Sequence, residues 1–137
     1  MPNVKDYQDI KTAWSRGKNW VEVTYDFAKD AGAQAVYELC KFGFPAIITA
    51  FYAKVATAVT SAGAPTVDVG IKTTDPDALM DGLLKGDFTK DAVVYDGTNQ
   101  IIPLKVEKDA ELAMTTAVAD ITAGKVTFVI EYEKYFV

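Results

Sequence analysis

The sequence predicts an all-β fold: a single antiparallel β-sandwich of jelly-roll type with one short crossing helix and an N-terminal arm. Three observations predict it. Apolar and polar residues alternate with a period of two from Trp20 onward, as half-buried strands require. Turn residues separate these runs at short intervals, giving about eight strands with no strand–helix–strand rhythm of a parallel sheet. The 137 residues suffice for one domain with its own core, and the single cysteine, Cys40, leaves no internal disulfide to staple it. The arm is assigned to residues 1–19 and the sandwich to residues 20–137.

In the arm, Val4, Tyr7, Ile10 and Trp14 recur at steps of three and four, the spacing of one helix face, with Asn3 placed to cap it and Gly17 to end it. So short a helix is not stable alone and has to dock. Lys5, Lys11, Arg16 and Lys18 against Asp6 and Asp9 leave residues 1–20 at +2, so the remainder of the chain carries −7. Opposite signs on arm and body favour contact between neighbouring copies. Tyr7, Ile10, Trp14, Arg16 and Trp20 are therefore the candidate partner-binding residues, and removal of the arm is expected to leave the sandwich folded. The alternative is docking on the chain's own body, with Trp14 and Trp20 closing the bottom of the sandwich.

The body reads as strands in order. Val21, Val23, Tyr25 and Phe27 alternate with Glu22, Thr24 and Asp26, and Lys29 to Gly32 supply a turn. A second strand runs from about Gln34 to Lys41 with Tyr37 and Leu39 inward. After Gly43 and Pro45, the run Ile47 to Val59 is apolar on both faces, as a central strand with a bend near Lys54 would be. Ser61 to Pro65 form a loop, and Val67, Val69 and Ile71 alternate with Thr66, Asp68 and Gly70. Between Thr74 and Lys85 the period changes. Thr74 or Asp75 caps a crossing helix, Pro76 and Asp77 suit its first turn, and Leu79, Met80, Leu83 and Leu84 form its apolar stripe.

Asp91 to Tyr95 resumes extended structure, Asp96-Gly97 turns, and Pro103 confines the strand carrying Ile102, Leu104 and Val106 to an edge or bulge. Leu112, Met114, Thr116 and Val118 face opposite to Glu111, Ala113, Thr115 and Ala117 on the next strand. Thr122 to Gly124 turn into the last, where Val126, Phe128, Ile130 and Tyr132 alternate with Thr127, Val129, Glu131 and Glu133. The expected core includes Val23, Tyr25, Tyr37, Val67, Val69, Leu104, Met114, Phe128 and Ile130.

Chemistry-bearing groups are scarce. With no histidine, a Ser-His-Asp or Cys-His arrangement and a histidine-containing metal site are excluded, and one cysteine excludes a multi-cysteine zinc site. Cys40 fits a small apolar position better than a reactive thiol. Asp75, Asp77 and Asp81 with Gly82 superficially resemble a calcium loop, but Leu79 stands at a liganding position and no Glu closes the set, so helix capping explains them better. Glu107 with Asp109, or Glu131 with Glu133, belong to a solvated face more readily than to acid–base catalysis. The net charge of −5 and the lack of a basic stripe argue against nucleic-acid binding, and the broken apolar run from Phe42 to Val59 against a membrane span. No enzyme activity, metal or cofactor is expected.

One resemblance goes further. Tyr25-Asp26-Phe27, the stretch Ile47 to Val59 leading through Thr60 to Gly63 into Thr66 to Gly70, Asp75 to Ala78 with Asp81-Gly82, and Leu112 to Thr116 joined through Ile121 to Gly124 to Val126–Tyr132 together resemble the head decoration, or cement, proteins of tailed bacteriophages. The resemblance covers roughly residues 20 to 135. It implies a non-enzymatic virion protein, made in the host cytoplasm, that binds the outside of the expanded shell and stabilises it. The implied partners are the major capsid protein and neighbouring copies, with a homo-oligomeric arrangement on the capsid. A second reading is a glycan- or host-surface-binding module of a phage fibre or tail, with Tyr7, Trp14, Trp20, Tyr132, Tyr135 and Phe136 as a stacking platform.

Overall fold

The computed structural model describes residues 3–11 and 19–135. Its strands are β1 (Asn3–Ile10), β2 (Asn19–Asp26), β3 (Ala35–Phe42), β4 (Ala46–Thr60), β5 (Thr66–Ile71), β6 (Asp75–Leu84), β7 (Val93–Val94), β8 (Leu104–Val106), β9 (Glu111–Ala117) and β10 (Ala123–Lys134). They form two sheets. The first has the order β1-β3-β9-β5-β6, and the second the order β2-β10-β4-β7 with β8 also on β4. Pairing is antiparallel throughout except between β1 and β3, which run parallel. The pairs nest in the sequence: β5 lies with β6, β4 with β8, β3 with β9, and β2 with β10.

The period-two pattern explains which face is buried. Val23, Tyr25, Tyr37, Val67, Val69, Met114, Phe128 and Ile130 all lie in the core, and Leu104 packs against it partly buried, with Val106 taking the deeper place on that short strand. Phe51 and Phe128 stack at 5.8 Å between ring centres, and Phe42 meets Tyr132 edge-on at 5.2 Å. Such pairs add to the burial of large rings, so the centre of the sandwich is aromatic as well as aliphatic. Cys40 is fully buried, and loss of solvation pushes its thiol up to about 12, so it serves as a small core residue rather than a nucleophile.

Three expectations are corrected. Residues 75–84 are a strand, and only a 3-10 turn, Lys85–Asp87, follows. Ala78, Leu79 and Met80 are buried consecutively against β5. The apolar spacing that suits a helix arises because the β5–β6 register shifts between Val67 and Val69, beside Gly82 at φ +66. Gly70 fixes the other end of this hairpin, since a Cβ there would stand 2.2 Å from the Asp75 carbonyl oxygen. Long-range pairing overrides local helix signals here.

The described part of the arm is likewise β1 and not a helix. Val4 and Ile10 both reach the core from this strand, whose register against β3 shifts between Asn3 and Gln8. Val118 lies past the end of β9 and is exposed, off the face that Leu112, Met114 and Thr116 share. The Ala119 N–H donates to the Ala117 carbonyl at 2.9 Å, making a γ-turn that holds Val118 at φ +74. In β4 the irregularity falls close to Lys54, where the sequence places a bend. The strand's register against β10 slips where Val55 and Thr57 face the successive residues Val126 and Lys125, and again near Thr49.

Candidate functional site

The outward residues of the second sheet form the candidate site. On β10, Val129 lies beside Glu22 of β2 and Tyr52 of β4, and Glu131 lies beside Trp20 and Ala50. Lys54 faces Val93 of β7. Trp20, Val93 and Tyr95 are each more than 60% exposed, large apolar groups left in water on one side of the molecule. Val129 points outward too, yet only 4% of it is accessible. It is roofed by an ion pair: Lys54 Nζ reaches across β10 to Glu22 Oε1 at 2.6 Å. The hydrogen bond to Glu22 raises the Lys54 ammonium above its ordinary value. Trp20, Glu22, Tyr52, Lys54, Val129 and Glu131 line a shallow depression of about 240 Å³.

A second groove, of about 270 Å³, adjoins it and shares Tyr52. Its walls are Thr49 to Tyr52 of β4 with Val93, Tyr95, Gln100 and Ile102. The loop behind it is held by Asp96. Burial opposes ionisation there, but hydrogen bonds from the Asp81, Asn99 and Thr98 backbone N–H groups and the Asn99 side chain hold the Asp96 carboxyl below the usual range.

The outward face of the first sheet carries a polar cluster. Tyr7 Oη donates to Glu111 Oε2 at 3.3 Å, and Lys72 Nζ lies 3.4 Å from Glu38 Oε2. Glu38 and Glu111 are also hydrogen-bonded to each other. Sharing a proton in this way pushes Glu111 up, with burial and the Glu38 charge adding to it, while the same bond and the Lys72 charge draw Glu38 down. Burial foremost, then the Glu111 charge, raises the Tyr7 phenol.

The predicted partner residues are thus separated. Tyr7 and Ile10 belong to β1, one bonded across to β9 and the other in the core; Trp20 stands on the opposite sheet. Trp14 and Arg16 lie outside the described residues, as does Phe136. The proposed stacking platform is not assembled from its described members: Tyr132 is buried, and Tyr135 lies under Lys105, whose Nζ is 4.5 Å from the ring centre. Tyr52, Tyr95 and Gln100 were not legible as site residues. Only the Asp96-Gly97 turn signal marked their neighbourhood. Asp75, Asp77 and Asp81 lie on β6, where a hydrogen bond from Asp77 raises the Asp75 carboxyl. Among the described residues no three His, Cys, Asp or Glu side chains are arranged to hold a metal ion.

No protein-family model and no curated protein sequence matches the chain. Solved structures do. A chain of the cyanophage Pam1 capsid asymmetric unit superposes with a TM-score of 0.65 at 12% identity, covering 90% of this chain and 89% of that one. A chain of the Ralstonia phage GP4 capsid gives 0.64 at 17% identity, covering 93% and 92%. A chain of the acid-stable capsid of Helicobacter pylori bacteriophage KHP30 gives 0.55 at 15% identity, covering 85% and 92%. Over most of its length the chain shares its fold with chains found in phage capsid structures.

Proposed function

We propose that the chain is a non-enzymatic structural protein of a phage virion, a head decoration protein that docks on the outside of the capsid shell and stabilises it. The observation that carries this reading is the near full-length likeness to chains from three phage capsids, in which neither partner of the match leaves a large segment over. The nested pairing of β2 with β10, β3 with β9, β4 with β8 and β5 with β6 supports the jelly-roll reading that belongs with it. Trp20, Tyr52 and Val93 supply an apolar centre and the Lys54–Glu22 pair a polar element, the composition of a protein–protein contact. Trp14 and Arg16 belong to the same proposed contact. The partners are the major capsid protein and neighbouring copies.

The test is sedimentation of the purified protein with expanded capsids, followed by heating of the decorated shells. Binding that raises the temperature of shell disruption, and that Trp20→Ser abolishes, supports the reading. A protein that fails to bind any expanded shell overturns it.

A further inference from the structure

The groove beside Tyr52 is a break in a sheet edge. β7 covers β4 at Ala53 and Lys54, and β8 covers it at Ala46, Ile47 and Ile48. Among the described residues no strand pairs with residues 49–52 on that side. The Val55 N–H donates to the Ala92 carbonyl and the Val55 carbonyl accepts from Asp91 N–H. β4 is regular from Val55 to Phe51, so the period of two aims the Phe51 N–H and C=O into the gap. An unpaired stretch of edge is a template for another strand.

Two further observations describe what would fill it. Gln100 Oε1, on the groove wall, is buried and has no hydrogen-bond partner, an acceptor that lacks its donor. Glu131 sits beside Ala50 at the rim and makes no ion pair among the described residues, in a body of strongly negative charge. Tyr52, Tyr95, Val93 and Ile102 provide the apolar walls.

We propose that this gap is a strand-addition site for an extended, cationic segment of a partner polypeptide. The segment pairs with the Phe51 backbone, donates a hydrogen bond to Gln100 Oε1, places an apolar side chain between Tyr52 and Tyr95, and brings a lysine or arginine to Glu131. Backbone pairing supplies affinity and the alternate side chains supply selectivity. The site does not depend on the shell reading: a protein that binds no capsid still has the gap.

The experiment is a ¹H–¹⁵N titration of the full chain with an end-blocked octapeptide of alternating lysine and valine. Amide shifts confined to Ala50, Phe51, Tyr52, Val93, Tyr95 and Gln100, with slowed exchange of the Phe51 amide, support the proposal. Gln100→Met weakens the peptide about tenfold, the scale of one lost buried hydrogen bond. The same variant raises the melting temperature of the free protein, because it removes an unsatisfied acceptor. An N-methylated peptide that binds as well as the parent, a glutamate–valine peptide that binds equally, shifts centred elsewhere, or a Gln100→Met protein with unchanged affinity would each overturn it. So would maltohexaose shifting these residues where the peptide does not.

Discussion

The two outer faces of the sandwich are built for different ends. On the first sheet, Tyr7, Glu38, Glu111 and Lys72 satisfy one another across β1, β3, β9 and the β5–β6 turn, and this polar weave ties the edge strand β1 to the body. On the second, Trp20, Val93 and Tyr95 stand in water and a single ion pair shelters Val129. One face spends its side chains on the chain's own strands. The other leaves apolar side chains exposed. Exposed rings that do not hold the fold together are where association is expected to be sensitive and stability is not.

The core beneath both faces sets the scale for testing this contrast. Phe128 is fully buried and stacked on Phe51, so Phe128→Ala is expected to cost about 3–5 kcal/mol by chemical denaturation. A change of a few tenths would show that the facing sheets do not share this core. Next comes β1. Ile10→Ala, truncating an edge-strand core residue, is expected to cost about 2 kcal/mol, at the low end for buried Ile to Ala. Deletion of residues 1–11 should cost more than the point variant. An unaffected deletion variant would mean that the polar face holds nothing in place.

The carboxyl pair gives a smaller, pH-dependent effect. Glu111 titrates above its unfolded value of about 4.3, so its contribution is complete below that value and is lost as pH rises through its raised folded value. Glu38 is drawn down, so its contribution is present above its unfolded value and is lost as pH falls through its lowered folded value. The pair therefore stabilises most between those two folded values. Glu111→Gln should flatten the decline on the alkaline side of that window, measured by urea unfolding at pH 5 and 7.5. An unchanged pH profile would remove the shared proton from the account of β1. The smallest stability effect belongs to Trp20→Ser, expected within about 0.5 kcal/mol in a melt. Loss of several kcal/mol would make Trp20 part of the fold and not of a docking face.

The sequence made one of these faces more legible than the other. Alternation placed Val23, Tyr25, Phe128 and Ile130 inside because a strand with one buried face has to repeat every second residue, whatever its partner. The same parity put Glu38 and Glu111 outside but gave no sign that they would lie side by side, since neighbourhood between β3 and β9 is a matter of register. Residues 75–84 misled because an Asp-Pro start and leucine pairs satisfy helix rules locally, while pairing with β5 is invisible in the segment itself. The gap at residues 49–52 was out of reach for the same reason: it exists only because β7 and β8 stop short of each other on β4.

The nesting of strand pairs also sets a timetable. β10 lies between β2 and β4, so the second sheet stays open until the latest strand has left the ribosome, and β3 similarly waits for β9. Among the described strand pairs the β5–β6 hairpin has the fewest residues between its partners and can close early. Contacts so distant in sequence make folding slow, on the order of milliseconds to seconds, because loop closure precedes most of the gain from burial. β10 is paired on both of its sides, so the centre of the second sheet is complete only when β2, β4 and β10 are all in place.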